Sequence, residues 1–402
     1  MASDFLVDGG RIMAMRRARG LSRRILANLV GCSEEWLRLV EKGARPLDRL
    51  STIMRIADVL RVNDLSELIG GHITLPATGD HGECDDVGRA LLFPRLCADE
   101  VTESVHRVHR HVSSAWEIWR RSPRRYTELR RRLPALLLMA DTSAEHARAE
   151  DRQAAAADLT DVYRLFATLL RGCGHHPLAL LAADRAVAAA PADRGVAAAP
   201  ADRGVAAAPA DRGVADRHLP ALTRAELAEV LIHLGRYADA RRLCLAATEL
   251  TDDPSTIGTC YLTAALATAE ENDLLRTEEL LNRARKLGGQ LGVDFMTEVD
   301  LHAVVVAARM GRYRQAIRLA ADVDADRLYA KDRQARYFLS LATAHAMDRN
   351  PEAATAMLRK VAETCPEELK YSPQAGRVVD QLRRLDCETT RGELRQIARL
   401  TA

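Results

Sequence analysis

Two near copies, GRYADA at 235–240 and GRYRQA at 311–316, constrain this chain more than any other feature. Each copy follows an apolar run of helical spacing and opens a second such run. Weaker counterparts fall at Asn272 and Arg349, so that units marked by Gly235, Asn272, Gly311 and Arg349 start 37, 39 and 38 residues apart. Five residues after each marker comes a small side chain, and another small or β-branched one follows seven later: Ala240 and Ala247, Thr277 and Ala284, Ala316 and Val323, Ala354 and Val361. A helix–turn–helix hairpin repeated at this period cannot bury its apolar face alone. It must stack on its neighbours, and small residues let the two helices of one hairpin approach. Composition agrees. Aromatics are 4% of the chain while Ala, Leu and Arg abound, which favours helices over a large sheet. The reading is all-α.

An earlier unit fits the same offsets at Gly174, Ala179, Ala186 and Pro191, but Gly174 and Gly235 are 61 residues apart. The excess has a visible cause: a nine-residue motif, DRAVAAAPA then DRGVAAAPA, begins at Asp184, Asp193, Asp202 and Asp211. Removing the three extra copies, 27 residues, leaves an interval of 34. Residues 192–218 therefore read as a low-complexity loop inserted between repeats, tolerable because loop length costs stability only slowly. Offsets, small residues and closing proline together resemble the tetratricopeptide repeat. Tyr163, Tyr261 and Phe338, at the fourth position of each first helix, would fill gaps between hairpins.

The N-terminal 70 residues are mildly basic, with twelve Arg or Lys against nine acids. They read as five short helices. Gly20 ends the first; Ser22 caps SRRILANLV; Gly31 ends that helix; Ser33 caps SEEWLRLVEKG, which Gly43 ends. Pro46 opens a fourth helix and DLSELIG closes the domain. Two helices crossing near a right angle need a small residue at the crossing, a turn glycine and an apolar pair on the second helix. Ala27, Gly31, Leu37 and Val40 meet that need. RRARGLSRRILANLVGCSEEWLRLVEKGARP with DRLSTIMRIADVLRV resembles the XRE (Cro/phage-repressor type) helix-turn-helix family over residues 10–70.

That resemblance implies double-stranded DNA as partner, with the helix from Ser33 to Lys42 in the major groove. It places base-reading positions at Ser33, Glu34, Glu35 and Arg38, a phosphate contact at Arg23, and further basic contacts at Lys42 and Arg45. Glu34 and Glu35 depart from expectation, since a carboxylate there accepts only from cytosine N4 among the usual base partners. Trp36 and Leu39 are open between packing and DNA contact.

Residues 71–98 (GGHITLPATGDHGECDDVG and after) read as a linker with a short helix near RALLFPRL, and 99–158 as connecting helices broken at Ser122-Pro123. Seven arginines, Arg120, Arg121, Arg124, Arg125, Arg130, Arg131 and Arg132, make the densest basic run. A run of this kind is a solvated face, an extra phosphate contact or a seat for an acidic partner. His106, His109 and His111 lack the carboxylate or thiol that would complete a metal site, and read as a solvated face. The repeat domain spans 159–402.

The whole arrangement resembles actinobacterial XRE–tetratricopeptide regulators, including quorum-sensing peptide receptors. It implies a homodimer, since one short recognition helix reads few bases. It also implies a groove lined by first helices, bringing Asp161, Arg164, Glu298, His302, Arg336 and Ser340 to a peptide or small-molecule ligand. An adaptor whose repeats hold a protein partner is the alternative. No GxSxG, phosphate loop or HExxH occurs, so neither an enzyme nor a cofactor is expected. Eight scattered cysteines without CxxC, no signal-peptide pattern and no run of ~18 apolar residues lead to the expectation of a reduced, cytoplasmic protein without membrane contact.

Overall fold

The computed structural model describes residues 9–30, 32–42, 56, 59–60, 85–93, 104–191, 218–325, 330–385 and 387–401. Among the described residues every regular element is helical. No described helix is long and apolar enough to cross a membrane. Contacts divide the chain into two units, Met1–Thr78 and Gly79–Ala402.

In the N-terminal unit, α1 (Gly9–Ala18), α2 (Arg23–Val30) and α3 (Glu34–Glu41) surround a small core. Ile12, Leu26, Ala27, Leu37 and Val40 form it, closed by Ile56 and Leu60. The local signals act as the sequence expects. Gly20 takes φ +67°, a conformation costly for any residue with a Cβ. The Ser22 hydroxyl accepts from the Ile25 amide at 3.2 Å and that of Ser33 from the Trp36 amide at 3.1 Å. A Cβ on Gly9 would lie 2.0 Å from the Val40 carbonyl oxygen, so α1 can begin against the end of α3 only because that residue is glycine. Gly31, Gly43, Arg45 and the expected fourth and fifth helices from Pro46 lie outside the described residues, apart from Ile56, Val59 and Leu60.

The second unit begins earlier than expected. Helix α4 (Asp85–Leu92) lies within the stretch expected as linker, yet Val87, Ala90 and Leu91 are buried in the unit's core. Then come the hairpins α5 (Val105–Arg121) and α6 (Arg125–His146), α7 (Arg152–Gly172) and α8 (His176–Ala189), and α9 (Leu219–His233) and α10 (Tyr237–Ala247). They continue as α11 (Pro254–Glu270) and α12 (Leu274–Leu291), α13 (Val293–Arg309) and α14 (Tyr313–Ala320), and α15 (Lys331–Met347) and α16 (Pro351–Thr364). Helices α17 (Pro366–Tyr371), α18 (Pro373–Leu385) and α19 (Arg391–Leu400) close the chain. The inserted residues 192–217 lie outside the described ones.

The five turn markers share one geometry. Gly174, Gly235, Asn272, Gly311 and Arg349 all take positive φ. After each, the next amide reaches five residues back: His175 to Leu170, Arg236 to Leu231, Asp273 to Thr268, Arg312 to Ala307 and Asn350 to His345, all at 2.9–3.1 Å. This double turn satisfies carbonyls that a helix end would otherwise orphan. The small residues sit where hairpins close: Ala179, Ala186, Ala240, Ala247 and Ala284 are fully buried. Val323 differs, falling beyond the end of α14 and only half-buried.

The stack also returns on itself, which the sequence reading did not foresee. Arg125, one of the seven arginines of the basic run, is buried beside Trp119 and Tyr126, with its guanidinium 4.9 and 5.4 Å from their ring centres. Its partner is Glu368 of α17. Glu367 takes the Tyr126 amide (2.9 Å) and the Thr127 hydroxyl, capping α6 from a position 241 residues away. Tyr371 packs on Tyr126, and the Cys365 thiol donates to the Pro123 carbonyl. His109 is likewise not merely solvated: its Nδ1 lies 2.7 Å from the buried carboxylate of Asp158.

Candidate functional site

The first candidate surface is the exposed face of α3. Its pose is fixed from beneath by Glu41, whose carboxylate is buried. Arg16 Nε donates to Glu41 Oε1 at 2.6 Å, Arg16 Nη2 to Oε2 at 3.1 Å, and Arg23 Nε to Oε2 at 3.0 Å. Burial pushes the Glu41 carboxyl up, but the hydrogen bonds from Arg16 and Arg23 outweigh it and hold it below its ordinary range. Arg16 Nη1 also donates to the Leu21 carbonyl at 2.8 Å, so this one side chain ties α1 to the α2 entry and to the end of α3.

Above this anchor, Ser33, Glu34, Glu35 and Lys42 are exposed and Arg38 is half-buried. Arg38 and Glu35 are not independent readers. Arg38 Nε donates to Glu35 at 2.7 Å and Nη2 engages the other carboxylate oxygen. That fork lowers the Glu35 pKa and raises that of Arg38. The departure noted at Glu34 and Glu35 is thus halved: the Glu35 charge is balanced within the helix by Arg38, and Glu34 remains. Arg23 is anchored at the start of α2 by Glu41, with a quarter of its side chain exposed. Trp36 packs against the core.

The second candidate is a cavity of about 400 Å³ inside the helical stack. One face of each hairpin's first helix lines it at helical spacing: Arg164, Thr168 and Arg171 on α7, Glu226 and Glu229 on α9, Thr256, Thr259 and Thr263 on α11. Glu298 and His302 on α13, and Asp332, Arg333 and Arg336 on α15, complete the circuit, and Trp116, Trp119 and Arg120 of α5 close it. Five guanidinium groups therefore face four carboxylates. Arg171 Nη2 reaches Glu229 at 2.8 Å and Glu226 at 3.4 Å, and Arg336 joins Glu229 at 3.4 Å. Burial works against the Glu229 charge, but Arg171 and Arg336 overcome it and hold the carboxyl far below its usual range. Arg333 Nη1 meets Glu298 at 2.6 Å. His302 Nδ1 lies 2.9 Å from the Glu298 carbonyl, and burial lowers its pKa although Glu298 pulls the other way, so the ring is neutral at neutral pH. The described residues hold no cluster of three or more His, Cys, Asp or Glu that would bind a metal.

Residues 9–68 match the family model of a helix-turn-helix domain. The N-terminal unit carries a helix-turn-helix. Comparison with curated proteins finds no match. Among solved structures, the chain aligns with the crystal structure of Bacillus thuringiensis PlcR in complex with the peptide PapR7 and DNA. The identity is 13% and the TM-score 0.31, over 76% of this chain and 99% of that one.

Five of the seven expected helix-turn-helix contacts, Ser33, Glu34, Glu35, Arg38 and Lys42, fall on or beside α3; Arg23 opens α2, and Arg45 lies outside the described residues. Of the six groove residues, Arg164, Glu298, His302 and Arg336 line the cavity. Asp161 sits one turn away and receives Arg164 Nη1 at 2.7 Å. Ser340 is buried, and its hydroxyl is spent on the Arg336 carbonyl at 2.9 Å. Arg171, Glu229, Arg333 and Trp116 were missed, as were Arg16 and Glu41 beneath the helix-turn-helix. A charge inside an apolar helical run, as in ATLLRG before Gly174, is the signal that marks Arg171.

Proposed function

We propose that this chain is a sequence-specific DNA-binding transcriptional regulator. Its helix-turn-helix unit reads double-stranded DNA, and its helical stack receives a peptide or small-molecule signal in the central cavity. The observation that carries the reading is the exposed face of α3, presented at a helix N-terminus by the Ser33 cap and fixed from below by Glu41. A rigid recognition helix with exposed polar N-terminal side chains suits base-edge reading in the major groove. Glu34 would accept from cytosine N4, Lys42 and Arg23 would meet phosphates, and Arg38 would exchange Glu35 for a base or phosphate. A dimer that pairs two such helices on half-sites fits the shortness of α3, and the protein acts as a non-enzymatic cytoplasmic factor.

The test is selection of the full chain on a random duplex pool, beside Arg38→Ala and Lys42→Ala. The expected result is one enriched motif for the wild type. Its affinity should fall about tenfold with Arg38→Ala, and salt dependence should become shallower with Lys42→Ala. Featureless binding that both variants leave unchanged would overturn DNA reading and favour the adaptor role, with the stack holding a protein partner.

A further inference from the structure

The last two helices of the stack, α18 and α19, border a groove of about 440 Å³ that shares no residue with the central cavity. Its floor is apolar, formed by Leu382 of α18 with Leu394 and Ala398 of α19. Along the rim, Arg391, Arg395 and Arg399 follow one another at intervals of four on α19. They share one helix face and stand about 6 Å apart along its axis. Arg383 of α18 lines the same groove. All four arginines are exposed, and among the described residues no carboxylate lines the groove.

The neighbouring acids are committed elsewhere. Asp380 takes Arg383 Nη1 at 3.1 Å, Glu393 faces Arg359 of α16 at 3.3 Å, and Glu388, in the turn before α19, does not line the groove. Arg391 has contacts of its own. Arg395 and Arg399 make no ion pair among the described residues, so two full positive charges stand one helical turn apart over the apolar floor. Like charges four residues apart destabilise a helix, and an anion seated between them relieves that repulsion. A dianion balances the pair, whereas a carboxylate leaves one charge unmet. A phosphate monoester is such a dianion at pH 8, since its second pKa is about 6, and its oxygens accept from guanidinium forks in pairs. The volume of the groove lies in the range that small organic ligands occupy.

We propose that the α18–α19 groove is a second ligand site, which binds a small organic molecule bearing one phosphate monoester. Arg395 and Arg399 hold the phosphate, and Leu382, Leu394 and Ala398 meet the organic part. The site rests neither on the central cavity nor on DNA reading. Leu382 and Leu394 also belong to the apolar core that contains Leu369 of α17, so a ligand seated on them adds contacts to the closing helices of the stack.

The test uses the full chain at pH 8 with four probes: phenyl phosphate, benzoate, inorganic phosphate and a tetraglutamate peptide. Binding is read by calorimetry, and its place by the rate at which iodoacetamide alkylates Cys387. That thiol is half-buried and lines the groove, whereas Cys32, half-buried in the N-terminal unit, serves as control. Phenyl phosphate is expected to bind about tenfold more tightly than benzoate and several-fold more tightly than inorganic phosphate. It should slow alkylation of Cys387 several-fold and leave Cys32 unchanged. Arg395→Gln and Arg399→Gln, both at exposed positions, should each weaken phenyl phosphate about tenfold. Arg384→Gln, exposed on α18 outside the groove, should leave it unchanged. No binding of phenyl phosphate, or binding that neither protects Cys387 nor responds to Arg395→Gln and Arg399→Gln, would overturn the site. Benzoate binding as tightly would overturn the dianion, and inorganic phosphate binding as tightly would overturn the organic part. Tetraglutamate binding as tightly would overturn the phosphate ligand in favour of an acidic protein segment.

Discussion

Arg16 and Arg125 are the two buried arginines among the described residues, one in each unit, and they are buried in different ways. Arg16 makes three hydrogen bonds, two to Glu41 and one to the Leu21 carbonyl, all within 25 residues of sequence. Arg125 bonds Glu368 across 243 residues through Nη2, and its Nε and Nη1 have no partner. Burial opposes the Arg125 charge, and Glu368 more than compensates, so both arginines are firmly cationic. The contrast is in how the rest of each side chain is used. Arg16 is a staple with all three nitrogens bonded, and its work is electrostatic. Arg125 lies between aromatic rings, and much of what it contributes is contact area. A buried ion pair strengthens a fold only when its remaining donors are also met.

Four experiments separate the two cases. The largest expected effect is Glu41→Ala, which strands Arg16 in the core. The helix-turn-helix unit should lose about 3–5 kcal/mol, seen as loss of hydrogen-exchange protection in α1 and α3 together with DNA binding. Glu368→Ala should cost less, about 2–3 kcal/mol in urea unfolding of the helical stack, since Arg125 keeps its aromatic contacts. A larger loss here than at Glu41 would reverse the comparison. Acid titration comes next. The folded-state pKa of Glu41 is depressed, so its contribution is complete above the unfolded value of about 4.3 and disappears as pH falls through the folded value. Glu41→Gln should therefore flatten the acid limb of the helix-turn-helix stability profile, and an unchanged limb would show that Glu41 is not the titrating group. The smallest effect is expected from Arg125→Met, which removes two idle donors and keeps volume, while Glu368, partly exposed, keeps the Tyr126 hydroxyl as a donor. It should change stability by less than about 1 kcal/mol, against several for Arg16→Met, which strands Glu41 in the core.

The repeat unit was legible because its signals are local. Each marker had to supply a positive φ and each was followed by small residues at fixed offsets. This held even where the marker is Asn272 or Arg349 rather than glycine, since the offsets alone located them. The Ser22 and Ser33 caps and the Ala27, Leu37 and Val40 crossing were legible for the same reason. The Arg125–Glu368 contact was not, because nothing near Arg125 distinguishes it from the six arginines around it. What buries it lies in α17. A short helix near RALLFPRL was legible, but the Gly, Pro and Asp residues upstream of Val87 hid that α4 starts at Asp85 and is buried in the core. In the cavity, the repeat resemblance had placed Arg164, Glu298, His302 and Arg336 on first helices, and these four are among the lining residues. That resemblance carried no information about which neighbours on adjacent hairpins would complete their ion pairs, so Arg171 and Glu229 escaped.

A linear stack of hairpins has two loose ends, each with one neighbour, and unravels from them. Here the contacts of Glu367, Glu368 and Tyr371 with the start of α6 join those ends into a seam. A stack joined in this way has no terminal repeat, so opening at the seam exposes both ends at once. Fraying then ceases to be a gradual loss of outer turns and becomes a single cooperative event, and a truncation that removes α17 loosens the first hairpin as well as the last.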